Sequence, residues 1–263
     1  LPDDIGEINA TDTVSAFGAT PEETSAYVIV AEEEISQRHT DKLRSGGASV
    51  ENVYENLVKV RISPSNRISY SEISWVERVR KPIEPVAQNI GGEGATAIGA
   101  GKLHATGLTG GNATVVVIDE GFDPGHPGVS DNVVESRGFG VSVDAKPKHG
   151  TASAEMVLDV APDADLYLAA VGTSIGYRNA LDWAVQEDAD VVTMSLGFLG
   201  QPNDGTGSVS RKADEAVDQG DFVFTTSTGN QAERHWQGDF QDTDADDNLG
   251  FTQQGAEINY LNS

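Results

Sequence analysis

Three polar side chains stand at the ends of apolar or small-residue segments, and their types together could perform acyl transfer. Asp119 closes the apolar run 115–118, His149 precedes Gly150, and Asn230 follows a second apolar run. A carboxylate can orient an imidazole, an imidazole can act as a general base, and an amide can stabilise an oxyanion. Each residue also has a structural interpretation: a turn acid, a buried imidazole and an asparagine in a left-handed turn. From these residues alone both interpretations stay open.

The elements that would position these side chains alternate between strands and helices from residue 113 onward. The predicted strands cover 113–120, 163–172, 188–197 and 220–230, and the predicted helices cover 178–187 and 210–219. Such alternation indicates a parallel, doubly wound sheet, and therefore an α/β fold. Chemistry in these sheets lies at the carboxyl ends of the strands. We therefore expect Asp119, the segment 195–197 and Asn230 at one edge of the sheet.

A smaller α+β unit is predicted upstream of this sheet. Its expected elements are a strand at Tyr27–Val30, a helix at Glu32–Arg44, a hairpin or long strand at Val53–Ile62, a short helix at Ser71–Val76 and a strand at Trp75–Arg80. The helix would end at Gly46-Gly47, because glycine is common where helices stop.

Composition changes along the chain suggest four parts. Residues 1–24 form a polar N-terminal extension, and residues 25–85 form the small α+β domain. Residues 86–112 are rich in Gly, Ala and Thr, and we interpret them as a linker and entry loop. Residues 113–263 form the larger α/β domain.

The charge of the chain restricts its partners. Among 263 residues, 42 are acidic and 17 are basic, which gives a net charge of −25. Such a surface repels phosphates, which argues against a nucleic-acid role. The composition is typical of proteins adapted to high salt, although an ordinary acidic secreted protein is the alternative. The chain has no cysteine, and no apolar run has the length of a membrane span.

Four segments resemble, in order, the conserved segments of the subtilase family of serine proteases (peptidase S8). ATVVVIDEGFDPGHPGV at 113–129 is similar to its Asp motif, and HGTASAEMVLDVAPDADLYL at 149–168 to its His motif. DWAVQEDADVVTMSLG at 182–197 is similar to the helix and strand that lead to its substrate-binding Ser-Leu-Gly, and TSTGN at 226–230 to its oxyanion strand. The resemblance implies a subtilisin-like α/β fold and a secreted or cell-surface serine endopeptidase.

The resemblance also implies a role for each matched residue. Asp119 would orient His149, His149 would be the general base, and Asn230 would donate to the oxyanion. Ser195, Leu196 and Gly197 would bind an extended polypeptide substrate by strand addition. Residues 25–85 would be an inhibitory prodomain that caps the active site, and no cofactor would be required.

The nucleophile is where the sequence departs from the family. The 33 residues after Asn230 contain no Gly-Thr-Ser, and the sole triplet of this kind, at 172–174, precedes the Ser-Leu-Gly segment. We therefore expect the front portion of a zymogen whose nucleophile lies past Ser263, and a chain that is inactive alone. The alternative is a non-catalytic, protease-like binding or surface module.

A calcium site is a weaker hypothesis. Asp242, Asp244 and Asp246 have the i, i+2, i+4 spacing of a calcium loop. Asp247 stands where the loop needs its turn glycine, and Gln253 stands where it needs a bidentate Glu. A solvated acidic loop is the alternative.

Overall fold

The structure is a computed structural model that describes residues 24–87, 94–200, 202 and 204–230. Its first unit, here called the N-terminal domain, is an antiparallel sheet of strand order β2-β3-β1-β4 with two helices. The elements are β1 (Ser25–Ala31), α1 (Gln37–Ser45), β2 (Ser49–Tyr54), β3 (Leu57–Ile62), α2 (Arg67–Ser71) and β4 (Val76–Arg80). A single 3₁₀ turn at Pro64–Asn66 precedes α2.

Alternation along the strands builds the core of the N-terminal domain. Tyr27 and Ile29 of β1 face the helices and pack with Leu43 of α1. Val28 and Val30 point to the opposite face of the same strand. This second face is also buried, because the larger unit covers it.

A connecting segment contains β5 (Val86–Ala87), α3 (Gly94–Ala97) and α4 (Ala100–His104). The larger domain follows as β6 (Thr114–Asp119), β7 (Val133–Phe139), α5 (Pro147–Val160), β8 (Asp165–Val171), α6 (Ser174–Gln186), β9 (Val191–Met194), β10 (Leu196–Gly197), α7 (Ser208–Gly220) and β11 (Val223–Thr226). Five of these strands form a parallel sheet in the order β11-β9-β6-β8-β7. The predicted doubly wound α/β fold is therefore confirmed.

Helices cover both faces of the parallel sheet. Val116 and Ile118 of the central strand β6 lie in the core that contains Trp183 of α6. Val115 and Val117 lie in the opposite core, which contains Ala154 of α5. Because β6 is buried on both faces, its sequence is a continuous apolar run rather than an alternating one.

Several element boundaries differ from the expectations. Strand β7 was not predicted, because its exposed charged positions interrupt the apolar pattern in VVESRGF. Helix α1 begins at Gln37, after the N-cap Ser36, rather than at residue 32. The short helix expected at 71–76 lies at Arg67–Ser71. Within the described residues, no helix is both long enough and apolar enough to cross a membrane.

Candidate active site

Asp119 is the last residue of the central strand β6, and its side chain is fully buried. Its carboxylate accepts three kinds of hydrogen bond. The backbone N–H of Glu120 donates to Oδ1 over 2.8 Å, and the hydroxyl of Ser153 lies 3.0 Å from Oδ2. The third donor is the imidazole of His149. A buried carboxylate is costly unless it is paired, and these donors supply the pairing.

His149 lies in the first turn of α5, with 21 % of its side chain exposed. Its Nδ1 is 2.8 Å from Oδ1 and 2.9 Å from Oδ2 of Asp119. An ionised carboxylate can only accept, so Nδ1 must carry the proton. In the neutral imidazole, Nε2 is then the basic nitrogen. This arrangement can orient a general base.

The residues after His149 explain how α5 comes so close to β6. A Cβ on Gly150 would lie 2.2 Å from the carbonyl oxygen of Gly121 and 2.9 Å from Cβ of Asp119. Thr151 fixes the same contact, because its Oγ1 donates to the carbonyl of Pro147 and accepts from the N–H of Asp123. Small residues here are therefore a geometric requirement of the pair.

Burial raises the pKa of the Asp119 carboxyl above its ordinary value. The hydrogen bonds from His149, from the Glu120 N–H and from Ser153 act in the opposite direction without cancelling the effect of burial. Each donor therefore helps to keep the carboxylate ionised, which is the form that can hold an imidazolium.

Sequence reasoning did not assign Ser153 to this cluster. Ser153 follows His149 by four residues, so both lie on the same face of α5. Its Oγ is also 3.1 Å from the carbonyl oxygen of His149. The i, i+4 spacing of His149 and Ser153 in the sequence could have indicated that both side chains reach Asp119.

Ser195, Leu196 and Gly197 directly follow β9, which ends at Met194 in the same sheet as β6 and its last residue, Asp119. Leu196 and Gly197 form β10, which pairs antiparallel with β5 of the same chain. The partners are Leu196 with Ala87 and Gly197 with Val86. A segment of the chain itself thus lies where an extended polypeptide was expected.

Asn230 follows the edge strand β11 and is exposed. Gly229 before it has φ +87°, a left-handed conformation that glycine adopts without strain. The Ser227 N–H donates to the carbonyl of Met194 and extends the pairing of β11 with β9 beyond Thr226. Asn230 therefore follows the same carboxyl edge of the sheet as Ser195 and Asp119.

Two cavities flank this edge. One, of about 200 Å³, lies between α5 and the sheet and is lined by Val117, Ser153, Met156, Val157, Thr193 and Ser195. The other, of about 400 Å³, lies on the opposite side of the sheet beside β10. Its lining includes Leu196, Phe198 and Phe224, so it presents a largely apolar wall.

The Gly-Thr-Ser triplet at 172–174 has a structural role. Thr173 is the N-cap of α6, and its Oγ1 accepts from the N–H of Gly176. Ser174 is only 3 % exposed, and its backbone N–H donates to the carbonyl of Ile83. A buried serine at a helix start is poorly placed to attack a substrate.

The metal hypothesis falls on residues that the structure does not describe. Asp242, Asp244 and Asp246 lie outside the described residues, so calcium binding there stays a prediction. Within the described part of the chain, no group of three His, Asp or Glu side chains could hold a metal ion.

Several known proteases are similar to this chain. Subtilisin E of Bacillus subtilis is 36 % identical, over 52 % of this chain and 39 % of its own length. Subtilisin of Bacillus pumilus is 35 % identical, over 52 % of this chain and 54 % of its own length. The Major intracellular serine protease of Bacillus subtilis is 30 % identical over 40 % of each chain. The chain thus spans about two fifths of the length of the first of these relatives.

Two solved structures share the fold. The epidermin leader peptide processing serine protease of Staphylococcus aureus matches with a TM-score of 0.53 at 12 % identity, over 76 % of this chain and 58 % of its own. Fervidolysin of Fervidobacterium pennivorans, a keratinolytic enzyme related to subtilisin, matches with a TM-score of 0.50 at 16 % identity, over 80 % of this chain and 40 % of its own.

The sequence profile of the Subtilase family, peptidase S8, matches residues 110–254, more than half of the 263 residues. The match includes Asp119, His149 and Asn230. This chain belongs to the subtilase family.

Proposed function

We propose that these residues are the inhibitory N-terminal domain and the front of the catalytic domain of a serine endopeptidase. The observation that carries the proposal is the contact of His149 Nδ1 with both carboxylate oxygens of the buried Asp119. This geometry leaves Nε2 as the basic nitrogen of the neutral ring. A base held in this way is suited to acyl transfer.

In the proposed reaction, Nε2 of His149 removes the proton from a serine hydroxyl as the oxygen attacks a peptide carbonyl. Asp119 holds the ring and stabilises the imidazolium that forms. The amide of Asn230 donates to the oxyanion, a contribution of about 3–4 kcal/mol in related chemistry. The imidazolium then gives its proton to the leaving amine, and water hydrolyses the acyl-enzyme by the same steps.

We propose that the nucleophilic serine comes from a segment outside these 263 residues. Ser153 is engaged with Asp119, and Ser174 is buried at a helix start. No Gly-Thr-Ser follows Asn230. The cavity of about 200 Å³ beside Ser153 and Ser195 offers room next to the His149 pair for such a segment.

The substrate in this proposal is an extended polypeptide that pairs with β10 as an added strand. The apolar cavity of about 400 Å³ beside β10 would accept an apolar side chain of that strand. In the zymogen, Val86 and Ala87 hold the same backbone groups of β10. Occupation by the chain itself supports inhibition by the N-terminal domain.

Secretion or display at the cell surface is part of the proposal, and cell fractionation with an antibody to β1–β4 tests it.

The experiment is fluorophosphonate labelling of the full natural gene product, since this reagent reacts with activated serines. We expect labelling that His149→Ala abolishes and that Ser174→Ala leaves unchanged. The labelled peptide should contain a Gly-Thr-Ser motif encoded downstream of Ser263. A full product that resists labelling after its N-terminal domain has been removed would exclude the endopeptidase and favour a non-catalytic binding module.

A further inference from the structure

The aromatic ring of Tyr54 contacts two cations of the larger domain. Tyr54 ends β2 of the N-terminal domain and is only 6 % exposed. The guanidinium carbon of Arg178 lies 5.5 Å from the ring centroid, and Nζ of Lys212 lies 5.4 Å from it. Cations within about 6 Å of an aromatic face are attracted by the ring quadrupole. One aromatic ring therefore contacts both α6 and α7.

Both cations are held in place by the larger domain itself. Nη2 of Arg178 donates to the carbonyl of Ser208 over 2.8 Å. Nζ of Lys212 donates to Oδ1 of Asp182 over 2.6 Å. Each bond links α6 with α7, so the two helices form a socket whose charges are already positioned. Binding to positioned groups costs less conformational entropy than binding to mobile ones.

Lys212 is only 4 % exposed, which is rare for lysine. Burial acts to lower its pKa, but the contact with the Asp182 carboxylate outweighs this effect, so the pKa is raised. The ammonium therefore stays charged in a site that excludes water. A cation that is desolvated in this way attracts an aromatic ring more strongly than an exposed one does.

Hydrogen bonds of the N-terminal domain fix the turn that follows Tyr54. The hairpin after Tyr54 turns through Glu55, whose φ is +47°. Ala31 and Asn56 exchange two hydrogen bonds of 2.8 and 2.9 Å, and the N–H of Ile35 donates to the carbonyl of Glu55 over 2.8 Å. The ring is thus presented from a turn that is tied to the rest of its domain.

Apolar contacts surround the anchor. Val28, Val30 and Leu57 of the N-terminal sheet pack with Ile175 of α6 around Tyr54. A buried aromatic residue within a ring of apolar contacts is the usual form of an interface hot spot. Basic residues are also scarce in the larger domain. Residues 113–230 contain six Lys and Arg, and two of them contact Tyr54.

We propose that Tyr54 is the anchor that fixes the N-terminal domain on the α6–α7 socket and thereby keeps β5 on β10. The inference rests on the proposed function in one respect, since the pairing of β5 with β10 affects activity only if β10 binds a substrate. The anchor determines how often the two domains separate. The pairing of Val86 and Ala87 with β10 follows from that docking.

Hydrogen exchange on the present chain tests the anchor. Tyr54→Ala should speed exchange of the β10 amide that bonds to β5 by roughly tenfold or more, the effect of losing a hot spot. Amides in β1 and β3 should keep their protection. Tyr54→Phe retains the ring and should change exchange at β10 much less. Unchanged exchange at β10 in Tyr54→Ala would overturn the proposal.

Two further variants separate the anchor from general destabilisation of the N-terminal domain. Lys212→Met removes a charge from the socket and changes no residue of the N-terminal domain. It should speed exchange at β10 while the amides of β1 and β3 stay protected. The effect of Tyr54→Ala should be smaller in the Lys212→Met background, because the two residues share one interaction. Full additivity would overturn the proposal. As a matched control, Tyr70→Phe removes the hydroxyl that donates to the Gly46 carbonyl, far from the socket, and should leave β10 unchanged.

The two proposals can fail separately. Exchange is measured on a chain that needs no catalytic activity. An unchanged exchange profile in Tyr54→Ala would therefore contradict the anchor proposal but not the endopeptidase proposal. A full-length product that does not react with fluorophosphonate would contradict the endopeptidase proposal but not the anchor proposal.

Discussion

Leu196 pairs antiparallel with Ala87, a residue of the same chain 109 positions earlier. Gly197 pairs with Val86 in the same register. These backbone groups of β10 are the ones that an added polypeptide strand would use. β5 therefore occupies these backbone groups of β10, and under the proposed function β5 must leave before a substrate can pair there.

The first prediction concerns competition for β10. Proline cannot donate a backbone hydrogen bond, so the double substitution Val86→Pro and Ala87→Pro should release β5. An extended apolar peptide should then bind the variant measurably more tightly than the parent chain. Isothermal titration calorimetry measures this difference, and Val86→Ala serves as the control that keeps the backbone donor. Equal affinities for all three chains would contradict self-occupation.

The second prediction concerns the close approach of α5 to β6. Gly150→Ala places a Cβ against the Gly121 carbonyl and should destabilise the fold by about 1–3 kcal/mol. Gly101→Ala is the matched control, because a Cβ there meets nothing within 4 Å. In α4 the added methyl should be neutral or stabilise by about 0.5–1 kcal/mol. Urea unfolding of both variants measures the contrast, and similar effects at the two positions would contradict the packing argument.

The third prediction concerns pH. The folded-state pKa of Asp119 is raised, so the folded protein binds this proton more tightly than the unfolded chain does. Its contribution to stability is complete below the unfolded pKa of about 3.9 and is lost as pH rises through the folded pKa. Asparagine does not titrate. The Tm of Asp119→Asn should therefore rise relative to the parent as pH increases from about 3 toward 6.

Thermal unfolding at matched ionic strength measures this relative Tm. The lost carboxylate contacts shift all values of the variant by an offset, so only the change with pH is diagnostic. A relative Tm that falls with increasing pH would mean that the three donors outweigh burial. The pKa of Asp119 would then be lowered rather than raised.

The fourth prediction concerns Ser153. Its hydroxyl lies 3.0 Å from Oδ2 of Asp119, and Ser153→Ala removes this donor. The pKa of Asp119 should rise further, and the fold should lose about 1.5–3 kcal/mol, as for other hydrogen bonds to charged groups. Ser153→Thr retains a hydroxyl and is the control. Carbon NMR of the aspartate carboxyls measures the pKa. Identical titrations of the parent and the alanine variant would contradict the claim that the Ser153 hydroxyl stabilises the Asp119 carboxylate.

The sequence predicts the parallel sheet and the positions of its polar strand ends, because buried strands are continuous apolar runs. Asp119 and Asn230 could be placed at one edge for that reason. Strand β7 escaped prediction, because its exposed residues give no apolar period. The contact of Ser153 with Asp119 depends on the way α5 lies against β6, which only packing decides.

The pairing of β5 with β10 also escaped prediction. Val86 and Ala87 stand in a segment rich in small residues, which indicates a linker rather than a strand. Their partners are fixed by how the N-terminal domain docks on α6 and α7. The Tyr54 contact that contributes to this docking joins residues more than 120 positions apart, and no local pattern encodes it.

The orientation of His149 by Asp119 can be measured by ¹⁵N–¹H NMR of the histidine-labelled chain near neutral pH, which reports which ring nitrogen carries the proton. We predict that the neutral form of the ring carries its proton on Nδ1, in a hydrogen bond that shifts or disappears in Asp119→Asn. Nε2 would carry no proton and could accept one from a serine. A neutral ring protonated on Nε2, or a spectrum that Asp119→Asn leaves unchanged, would contradict the claim that Asp119 orients His149 as a base.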